Sequence, residues 1–320
     1  MTTGLVTVFG GSGFIGKYVV RSLVKQGWRV RVAMRRPHTG LDLKVIGNVG
    51  QVQLVQANMR FPSSVERAVE GSDAVVNLVS ILFESGKQTF EAMHVDATHT
   101  LSAACQKHNI KNLVHISALG ADTESESDYA RTKGEAEDIL RAAIPSVDIL
   151  RPSIVFGPED NFFNQFAGMT SLSPALPLFG GGQTCFQPIY AGDVADAVAA
   201  CLATGTHGET YALGGPETYS YKELMQFILT TIDRKRLLLP LPWFAANMIG
   251  FFGELSGALP FIDPVLTRDQ VKLLKIHNMM PEGMKTAKDL GIELETIESL
   301  VPSYLARYRH HGQFHEKQTG

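Results

Sequence analysis

Tyr129 and Lys133 are the two side chains of this sequence whose types and spacing best suit proton transfer. They lie four residues apart in DYARTKGEAE, a stretch with a helical pattern, so both face one side of a helix. A free tyrosine has a pKa of about 10 and exchanges protons poorly at neutral pH. A neighbouring ammonium favours the phenolate and lowers that pKa. The pair predicts acid–base chemistry, although the same spacing occurs by chance on ordinary amphipathic helices.

The N-terminal segment TVFGGSGFIGKYVV predicts a nucleotide-binding loop. Read from Gly10, it contains G-x-x-G-x-x-G between an apolar strand and a helix, which is the order of a dinucleotide fingerprint. In that motif Gly10 permits the tight turn, Gly13 lets the backbone approach a pyrophosphate, and Gly16 lets the helix pack on the strand. The helix N-terminus offers free N–H groups to the anion. A glycine turn without a ligand is the alternative.

Read from Gly11, the same segment resembles a P-loop for a nucleoside triphosphate. A P-loop needs Ser or Thr after its lysine, because that hydroxyl holds Mg²⁺. Here Tyr18 follows Lys17, and its ring is too large for that role. We therefore favour the dinucleotide and interpret Lys17 as an ordinary surface residue.

Two arginines at the end of the second strand indicate which dinucleotide binds. A site for NAD usually places Asp or Glu there, to bind the ribose hydroxyls. This sequence has Arg35 and Arg36 instead, and no acid before Asp42. A guanidinium binds a 2′-phosphate that a carboxylate would repel. The pattern favours NADP(H) over NAD, unless the two arginines are simply solvated.

The elements that must position these residues alternate between strands and helices, which predicts a doubly wound parallel sheet of the Rossmann type. Ligands of such sheets bind at the carboxyl ends of the strands. The expected strands are 5–10, 29–34, 52–57, 73–79, 112–118 and 147–157, and the expected helices are 14–27, 63–71, 90–109 and 129–143.

After Gly157 the alternation stops, and we expect a smaller, mainly helical C-terminal lobe. Within it, the Pro- and Gly-rich segment 172–184 is expected to be a loop. The polar tail contains His310 and His311, which we interpret as solvated rather than as metal ligands; no metal site is predicted. The predicted division is an NAD(P)-binding lobe of residues 1–156 and 185–215, a substrate or partner lobe of residues 157–184 and 216–308, and a tail of residues 309–320.

Composition narrows the class of protein. The chain is 44% hydrophobic with a net charge of −3, so no overall charge attracts nucleic acid. The three cysteines form no C-x-x-C pair, which favours a reducing compartment. No secretory signal is visible, so we expect a cytoplasmic protein, with peripheral binding to the inner face of the membrane as an additional expectation.

The segment 237–266 is unusually apolar and follows the basic run Arg234, Lys235 and Arg236. One interpretation is a buried lobe that covers a pocket for an apolar, quinone- or isoprenoid-like substrate. Another is a surface for a membrane or for a respiratory-chain partner. Its prolines argue against a helix that spans the membrane.

Several collinear motifs resemble the extended and atypical short-chain dehydrogenase/reductase superfamily. They are GGSGFIG (10–16), AVVNLV (74–79), HISALGA (115–121), YARTK (129–133), LRPSIVFGPED (150–160) and FQPIYAGDVADAV (186–198). Within it, GPEDNFFNQFA (157–167), LLLPLPWF (237–244) and LTRDQV (266–271) are similar to the nucleotide-binding accessory subunits of respiratory complex I and their bacterial relatives.

This resemblance implies roles for individual residues. Lys133 and Tyr129 would lie at the nicotinamide ribose, and Asn58 near the adenine. The cofactor-binding residues would be Gly10, Gly13, Phe14, Ile15, Gly16, Arg35, Arg36, Asn58, Leu78, Val79, Lys133, Pro152 and Ile154. The candidate catalytic residues would be Tyr129, Lys133 and Ser117.

One position departs from the superfamily. Catalytic members usually carry a Ser or Thr two residues after the position of Ser117, and this sequence has Leu119 there. Loss of one such donor typically lowers the rate by about 10²–10³-fold. Ser125 or Ser127 could substitute for it. Three functions stay open: an NADP-dependent oxidoreductase or epimerase-like enzyme, a structural subunit that holds NADPH, and a sensor of the NADP(H) ratio.

Overall fold

The computed structural model describes residues 4–257, 264 and 266–309. Its strands are β1 (Leu5–Phe9), β2 (Arg29–Met34), β3 (Val52–Gln56), β4 (Ala74–Asn77), β5 (Asn112–Ile116), β6 (Asp148–Pro152), β7 (Val155–Phe156), β8 (Ala175–Phe179), β9 (Cys185–Phe186), β10 (Ile189–Tyr190), β11 (Thr210–Leu213), β12 (Tyr219–Ser220), β13 (Leu237–Leu241) and β14 (Lys285–Thr286). Its α-helices are α1 (Phe14–Lys25), α2 (Pro62–Val69), α3 (Ala97–Lys107), α4 (Asp128–Ala143), α5 (Phe162–Leu172), α6 (Ala191–Thr204), α7 (Tyr221–Thr231), α8 (Trp243–Gly257), α9 (Arg268–Leu273) and α10 (Ile297–Leu305).

The centre of the molecule is an eight-stranded sheet in the order β14-β11-β6-β5-β4-β1-β2-β3. All of its pairs are parallel, which confirms the predicted Rossmann-type architecture. The chain runs outward from β1 to β3 and then returns to place β4 on the other side of β1. The crevice between β1 and β4 is therefore the switch point at which such sheets bind their ligands.

Helices cover both faces of the sheet, and each face has its own apolar core. On one face α1 and α6 pack together through residues such as Val20, Leu23 and Val198. On the other face α2, α3 and α4 contribute residues such as Leu101 and Leu140. Because both faces are covered, the central strands are apolar almost throughout; Ala74, Val75 and Val76 of β4 are fully buried.

A third apolar cluster lies in the second half of the chain. It is built from α5, α7 and α10 around residues such as Phe163, Ile228 and Val301. The exact division of the chain into two lobes stays a prediction. Within the described residues no helix has both the length and the apolar character needed to cross a bilayer.

The predicted loop 172–184 is wrong in part, because Ala175–Phe179 is strand β8. This strand pairs in parallel with β13, which lies about sixty residues later in the apolar segment. Pro177 and Pro240 make the two segments look unlike strands in the sequence. Proline is nevertheless tolerated on edge strands, and both strands of a two-stranded sheet are edge strands. Pairing between segments so far apart in the chain produces no local sequence pattern from which it could be predicted.

The predicted helix 90–109 begins differently from an ordinary α-helix. Residues Glu91–Asp96 form a π-helix, and α3 continues from Ala97. Single π-turns are rare and occur frequently at functional sites. Here the π-helix places His94 in the interior, 2% exposed.

Candidate active site

The glycine loop after β1 has little space for side chains. Gly10 has a φ of +80°, and its carbonyl accepts a hydrogen bond of 3.0 Å from the N–H of Gly13. A Cβ atom at Gly16 would lie 2.2 Å from the Gly10 oxygen, so α1 approaches the loop as closely as its backbone allows. Gly13 caps α1 without any side-chain hydrogen bond, and the first turn holds no acid. The helix N-terminus thus keeps its N–H groups free for an anion.

Lys17 is not available as a phosphate ligand. Its ammonium lies 3.0 Å from the carboxylate of Glu159 and 3.9 Å from that of Asp42. Tyr18, the next residue, packs edge-on against Tyr190 with ring centroids 5.6 Å apart. The geometry therefore agrees with the dinucleotide interpretation and not with the triphosphate one.

Residues at the carboxyl end of β4 line the other side of the switch point. The N–H of Leu78 donates to the Phe9 carbonyl at 2.9 Å, so the chain stays close to β1 beyond the strand. Asn77, buried at the end of β4, accepts the N–H of Val79 at 3.1 Å. These bonds hold Leu78 and Val79 beside Gly10.

Basic side chains surround a small cleft beyond β2 and β3. Arg35 lies at its edge and donates to Gln88 at 2.7 Å, while Arg36 is exposed next to it. Asn58 lies in the floor of the cleft, where its side-chain oxygen accepts the N–H of Arg60 at 3.1 Å. The cleft is lined by Arg35, Gln56, Ala57, Asn58, Phe61, Ser64 and Arg67. Arg67, on α2, is a second cation of this cleft that the sequence pattern did not single out.

Lys133 lies deep beside the end of β5. Its ammonium donates to the Ile116 carbonyl at 2.9 Å, and the residue is 1% exposed. Burial lowers the pKa of Lys133 to about 8, and the nearby carboxylate of Glu137 partly offsets that decrease. At physiological pH Lys133 is therefore close enough to its pKa that a change in its surroundings can change its protonation.

Tyr129 is half-buried one helical turn before Lys133 on α4. Burial raises the pKa of its phenol, and a hydrogen bond with Ser80 partly opposes that increase. The lowered pKa expected from the sequence is thus not found, because burial disfavours the charged phenolate. The Lys133 ammonium donates to a backbone carbonyl. The geometry predicts a neutral hydroxyl that can give up its proton only when a ligand stabilises the phenolate.

Ser117 and Leu119 follow β5 on the same edge of the sheet. Ser117 is 3% exposed, and its hydroxyl has no hydrogen-bond partner among the described residues. The backbone N–H of Leu119 donates to the Pro152 carbonyl at 2.9 Å, which joins the ends of β5 and β6. Ile154 follows β6 and is half-buried, and its carbonyl accepts the N–H of Ile189 at 2.9 Å.

Neither loop serine replaces the donor that is missing at Leu119. Ser127 caps α4 and donates its hydroxyl proton to Asp269 at 2.7 Å. Ser125 accepts the N–H of Ser127 at 3.2 Å within the loop. Both hydroxyls serve the start of the helix, so the sequence-based suggestion that either one substitutes is not supported.

Three functional candidates were not recognised from the sequence. Ser80 and His94 lie near Tyr129, and Oγ of Ser80 lies 3.0 Å from Nε2 of His94. Asp269, from α9, accepts hydrogen bonds from the N–H groups of Asp128 and Tyr129 at 2.8 and 3.1 Å. The motif LTRDQV contains Asp269, but nothing in that motif identifies the helix that it contacts.

The comparison with known proteins agrees with this geometry. Residues 6–214 match the NAD dependent epimerase/dehydratase family. The chain belongs to this family. The match contains the glycine loop, Tyr129 and Lys133, and ends directly after β11. This confirms the predicted superfamily.

Among the relatives of this family member are respiratory subunits and reductases. It is 32% identical to the mitochondrial NADH dehydrogenase (ubiquinone) 1 alpha subcomplex subunit 9 of Mus musculus, over 95% of this chain and 80% of the relative. It is 27% identical to a ceramide reductase of Caulobacter vibrioides, over 75% and 74% of the two chains.

A solved structure supports the fold. The dTDP-glucose 4,6-dehydratase DesIV of Streptomyces venezuelae, solved with NAD bound, superimposes with a TM-score of 0.68 at 19% identity. The alignment covers 95% of this chain and 97% of the dehydratase. The shared features include the central parallel sheet, which confirms the fold class.

Proposed function

We propose that this family member is an NADP(H)-dependent oxidoreductase that acts on a carbonyl or carbinol group of an apolar substrate. The observation that carries the proposal is the position of Lys133 at the end of β5, with Tyr129 one helical turn before it on α4, at the sheet edge that bears the glycine loop. When bound, the dinucleotide supplies or accepts a hydride. The side chains around it bind it, exclude water and hold the proton that accompanies the hydride.

The residues fit a dinucleotide at both ends. The close approach at Gly16 and the uncapped N-terminus of α1 suit a pyrophosphate. At the far end, Arg35, Arg36 and Arg67 suit the doubly charged 2′-phosphate of NADP(H). The unpartnered hydroxyl of Ser117 and the Lys133 ammonium lie at the end of β5, where the nicotinamide and its ribose would bind.

The test of the cofactor is its binding affinity. NADPH and NADH are titrated against the wild type, Arg35→Ala and Arg36→Ala, with Arg29→Ala, exposed at the start of β2, as a matched control. Loss of one charge-assisted hydrogen bond of about 1.5–3 kcal/mol predicts NADPH binding weaker by about 10–100-fold and unchanged NADH binding. A preference for NADPH that survives both substitutions would refute the phosphate assignment.

The test of the reaction uses Tyr129→Phe. NADPH oxidation is followed with quinone and isoprenoid carbonyl compounds for the wild type and the variant. We expect turnover that Tyr129→Phe reduces by at least about 10²-fold, the range of a general acid. If NADPH stays bound and unoxidised in the wild type, the oxidoreductase function is refuted. The second candidate function, described next, would then remain.

The second candidate is a nucleotide-holding subunit of a respiratory complex. The specific observation in its favour is the 32% identity over nearly the whole chain to a complex I subunit. Leu119, which cannot donate a hydrogen bond to a substrate, favours it too. In this case NADPH stabilises the fold, and the protein co-purifies with other respiratory subunits from gently solubilised membranes.

We infer that helix α8 forms a surface for an anionic membrane. Its side chains Phe244, Met248, Phe251 and Leu255 are each at least half exposed and lie along one stripe of the helix. Two cations lie beside the stripe. Lys275 lies 5.8 Å from the ring centroid of Trp243, and Arg268, which is paired with Glu254 of α8, lies 5.4 Å from that of Phe251. An aromatic face with a basic rim is typical of helices that lie in a membrane interface.

A further inference from the structure

A tight turn of residues 85–88 follows β4 and reaches the arginine cleft. Its first and last residues exchange two backbone hydrogen bonds of 3.0 Å each. Gly86 has a φ of +56°, a left-handed conformation that glycine adopts without strain. The carboxylate of Glu84 accepts the N–H of Phe90 at 2.8 Å, which closes the base of the turn. The backbone bonds that define this turn therefore do not use the side chain of Gln88.

Two contacts join the turn to the far side of the switch point. The guanidinium of Arg35, which follows β2, donates from Nη1 to Oε1 of Gln88 at 2.7 Å. Nη1 of Arg60, which follows β3, donates to the Lys87 carbonyl at 3.4 Å. In the sheet β1 lies between β4 and β2, so the segment after β4 crosses to the side of β2 and β3. The turn thus meets the cleft in which the adenosine end of a dinucleotide is proposed to bind.

The bond between Arg35 and Gln88 gives a direction to a long and otherwise mobile cation. An arginine side chain has only donors, so the Gln88 amide must present its oxygen to it. Gln88 accepts from one N–H of the guanidinium. A guanidinium has five such donors and binds a phosphate through two parallel hydrogen bonds. The amide is uncharged, so it orients Arg35 without competing for it as a carboxylate would.

The other arginines that line or border the cleft are held less closely. Arg36 and Arg67 are exposed, and neither guanidinium has a hydrogen-bond partner in the described part of the chain. The bond from Arg60 goes to a backbone carbonyl and is long. Arg35 is therefore the described cation of this cleft that another side chain orients. A binding group that is already fixed in direction loses less conformational freedom when its ligand arrives.

We propose that Gln88 is a positioning residue for Arg35 and thereby sets the selectivity for NADP(H) over NAD(H). This role rests on the proposed 2′-phosphate site. Gln88 holds the guanidinium at the cleft before the nucleotide binds, so the phosphate meets a donor that is already in place. NAD(H) has a hydroxyl instead of the phosphate and gains nothing comparable from this orientation.

The experiment measures the dissociation constants of NADPH and NADH by fluorescence titration for the wild type, Gln88→Ala and Gln88→Glu. Loss of one ordinary hydrogen bond predicts NADPH binding weaker by about threefold to tenfold in Gln88→Ala. In Gln88→Glu the new carboxylate pairs with Arg35 and repels the phosphate, so NADPH should bind at least about tenfold more weakly. NADH binding should stay unchanged in both variants.

Control variants separate positioning from a general disturbance of the cleft. Gln53→Ala and Gln53→Glu make the same changes at an exposed residue near the start of β3, and should leave both dissociation constants unchanged. In an Arg35→Ala background, Gln88→Ala should not weaken NADPH binding further, because Gln88 acts through Arg35. Damage to the turn would weaken NADPH and NADH alike, since both carry the same adenine, and that result would overturn the proposal.

The results for this role and for the cofactor assignment can be told apart. If Arg35→Ala loses the preference for NADPH while both Gln88 variants keep it, Gln88 has no positioning role and the phosphate assignment stands. An undiminished effect of Gln88→Ala in the Arg35→Ala background would also overturn the proposal. A preference that survives Arg35→Ala overturns the role of Gln88, and one that also survives Arg36→Ala refutes the phosphate assignment itself.

Discussion

At the scale of single residues, burial determines how the site can ionise. The Lys133 ammonium is held against the Ile116 carbonyl, and the His94 ring lies 2.9 Å from the Thr132 hydroxyl. Each contact takes a group that is fully hydrated in the unfolded chain and fixes its proton in one place.

The lowered pKa of Lys133 makes the stability of the protein depend on pH. Its pKa is about 8 in the fold and 10.5 as the ordinary value, so between these values the unfolded chain binds more protons. Stability therefore rises with pH from about 8 to about 10, by at most about 3 kcal/mol. Urea unfolding of the wild type should show this rise, and Lys133→Met should not. Equal pH dependence in the two proteins would contradict the lowered pKa.

Gly16 is the glycine of the loop with the least space. In Gly16→Ala the new methyl would meet the Gly10 oxygen, so α1 must shift away from the loop. We expect a loss of about 1–3 kcal/mol in the free energy of unfolding, together with weaker NADPH binding. Gly168→Ala, on α5, is the matched control, since its methyl would find its nearest neighbour at 3.8 Å. Urea unfolding and fluorescence titration measure both effects.

At the scale of elements, α9 determines where α4 begins. Asp269 accepts the Ser127 hydroxyl and two backbone N–H groups at the N-terminus of α4. These are N–H groups that the helix itself cannot satisfy, and a carboxylate there also interacts favourably with the helix dipole. A segment from the C-terminal third of the chain therefore orients the helix that carries Tyr129 and Lys133.

Substitution of Asp269 should thus affect both stability and the site. Asp269→Asn keeps the size but loses the charge and one acceptor, and should lower the free energy of unfolding by about 1–2 kcal/mol. Asp138→Asn, on the exposed side of the same helix, should change it by less than about 0.5 kcal/mol. Denaturant unfolding compares the two. Equal effects would mean that the contact with α9 does not hold α4.

At the scale of the whole molecule, one edge of the sheet carries the proposed site and α8 carries an exposed apolar face. The two are connected through neighbouring residues, since Arg268 binds Glu254 of α8 and Asp269 binds the start of α4. A protein that binds a membrane through α8 would therefore present its site close to apolar substrates dissolved in the bilayer.

Sedimentation with vesicles tests the membrane surface. The wild type should sediment with vesicles that contain anionic phosphatidylglycerol and much less with pure phosphatidylcholine, because cations flank the aromatic stripe. Phe251→Asp should reduce binding at least about tenfold, since it removes an apolar anchor and adds a repelled charge. Val49→Asp is the control, because Val49 is an exposed apolar residue in the N-terminal half of the chain, outside α8. Binding that is equal for both variants would refute the surface.

The sequence by itself determined the fold and the position of the nucleotide loop. Alternation of apolar strands with amphipathic helices, and the spacing of Gly10, Gly13 and Gly16, are local patterns, because they arise from the period of each element and from steric limits within one turn. The Tyr129–Lys133 pair could be recognised from the sequence for the same reason, because its spacing of four residues is that of one helical turn. The preference for NADP(H) and the roles of the individual residues stay predictions.

Only the tertiary structure decided which side chains surround Tyr129. Ser80, His94 and Asp269 come from three separate segments, and the pairing of β8 with β13 joins two more. Such contacts depend on packing between distant parts of the chain, and no local spacing encodes them. The raised pKa of Tyr129 is of the same kind, since it follows from the burial of its phenol.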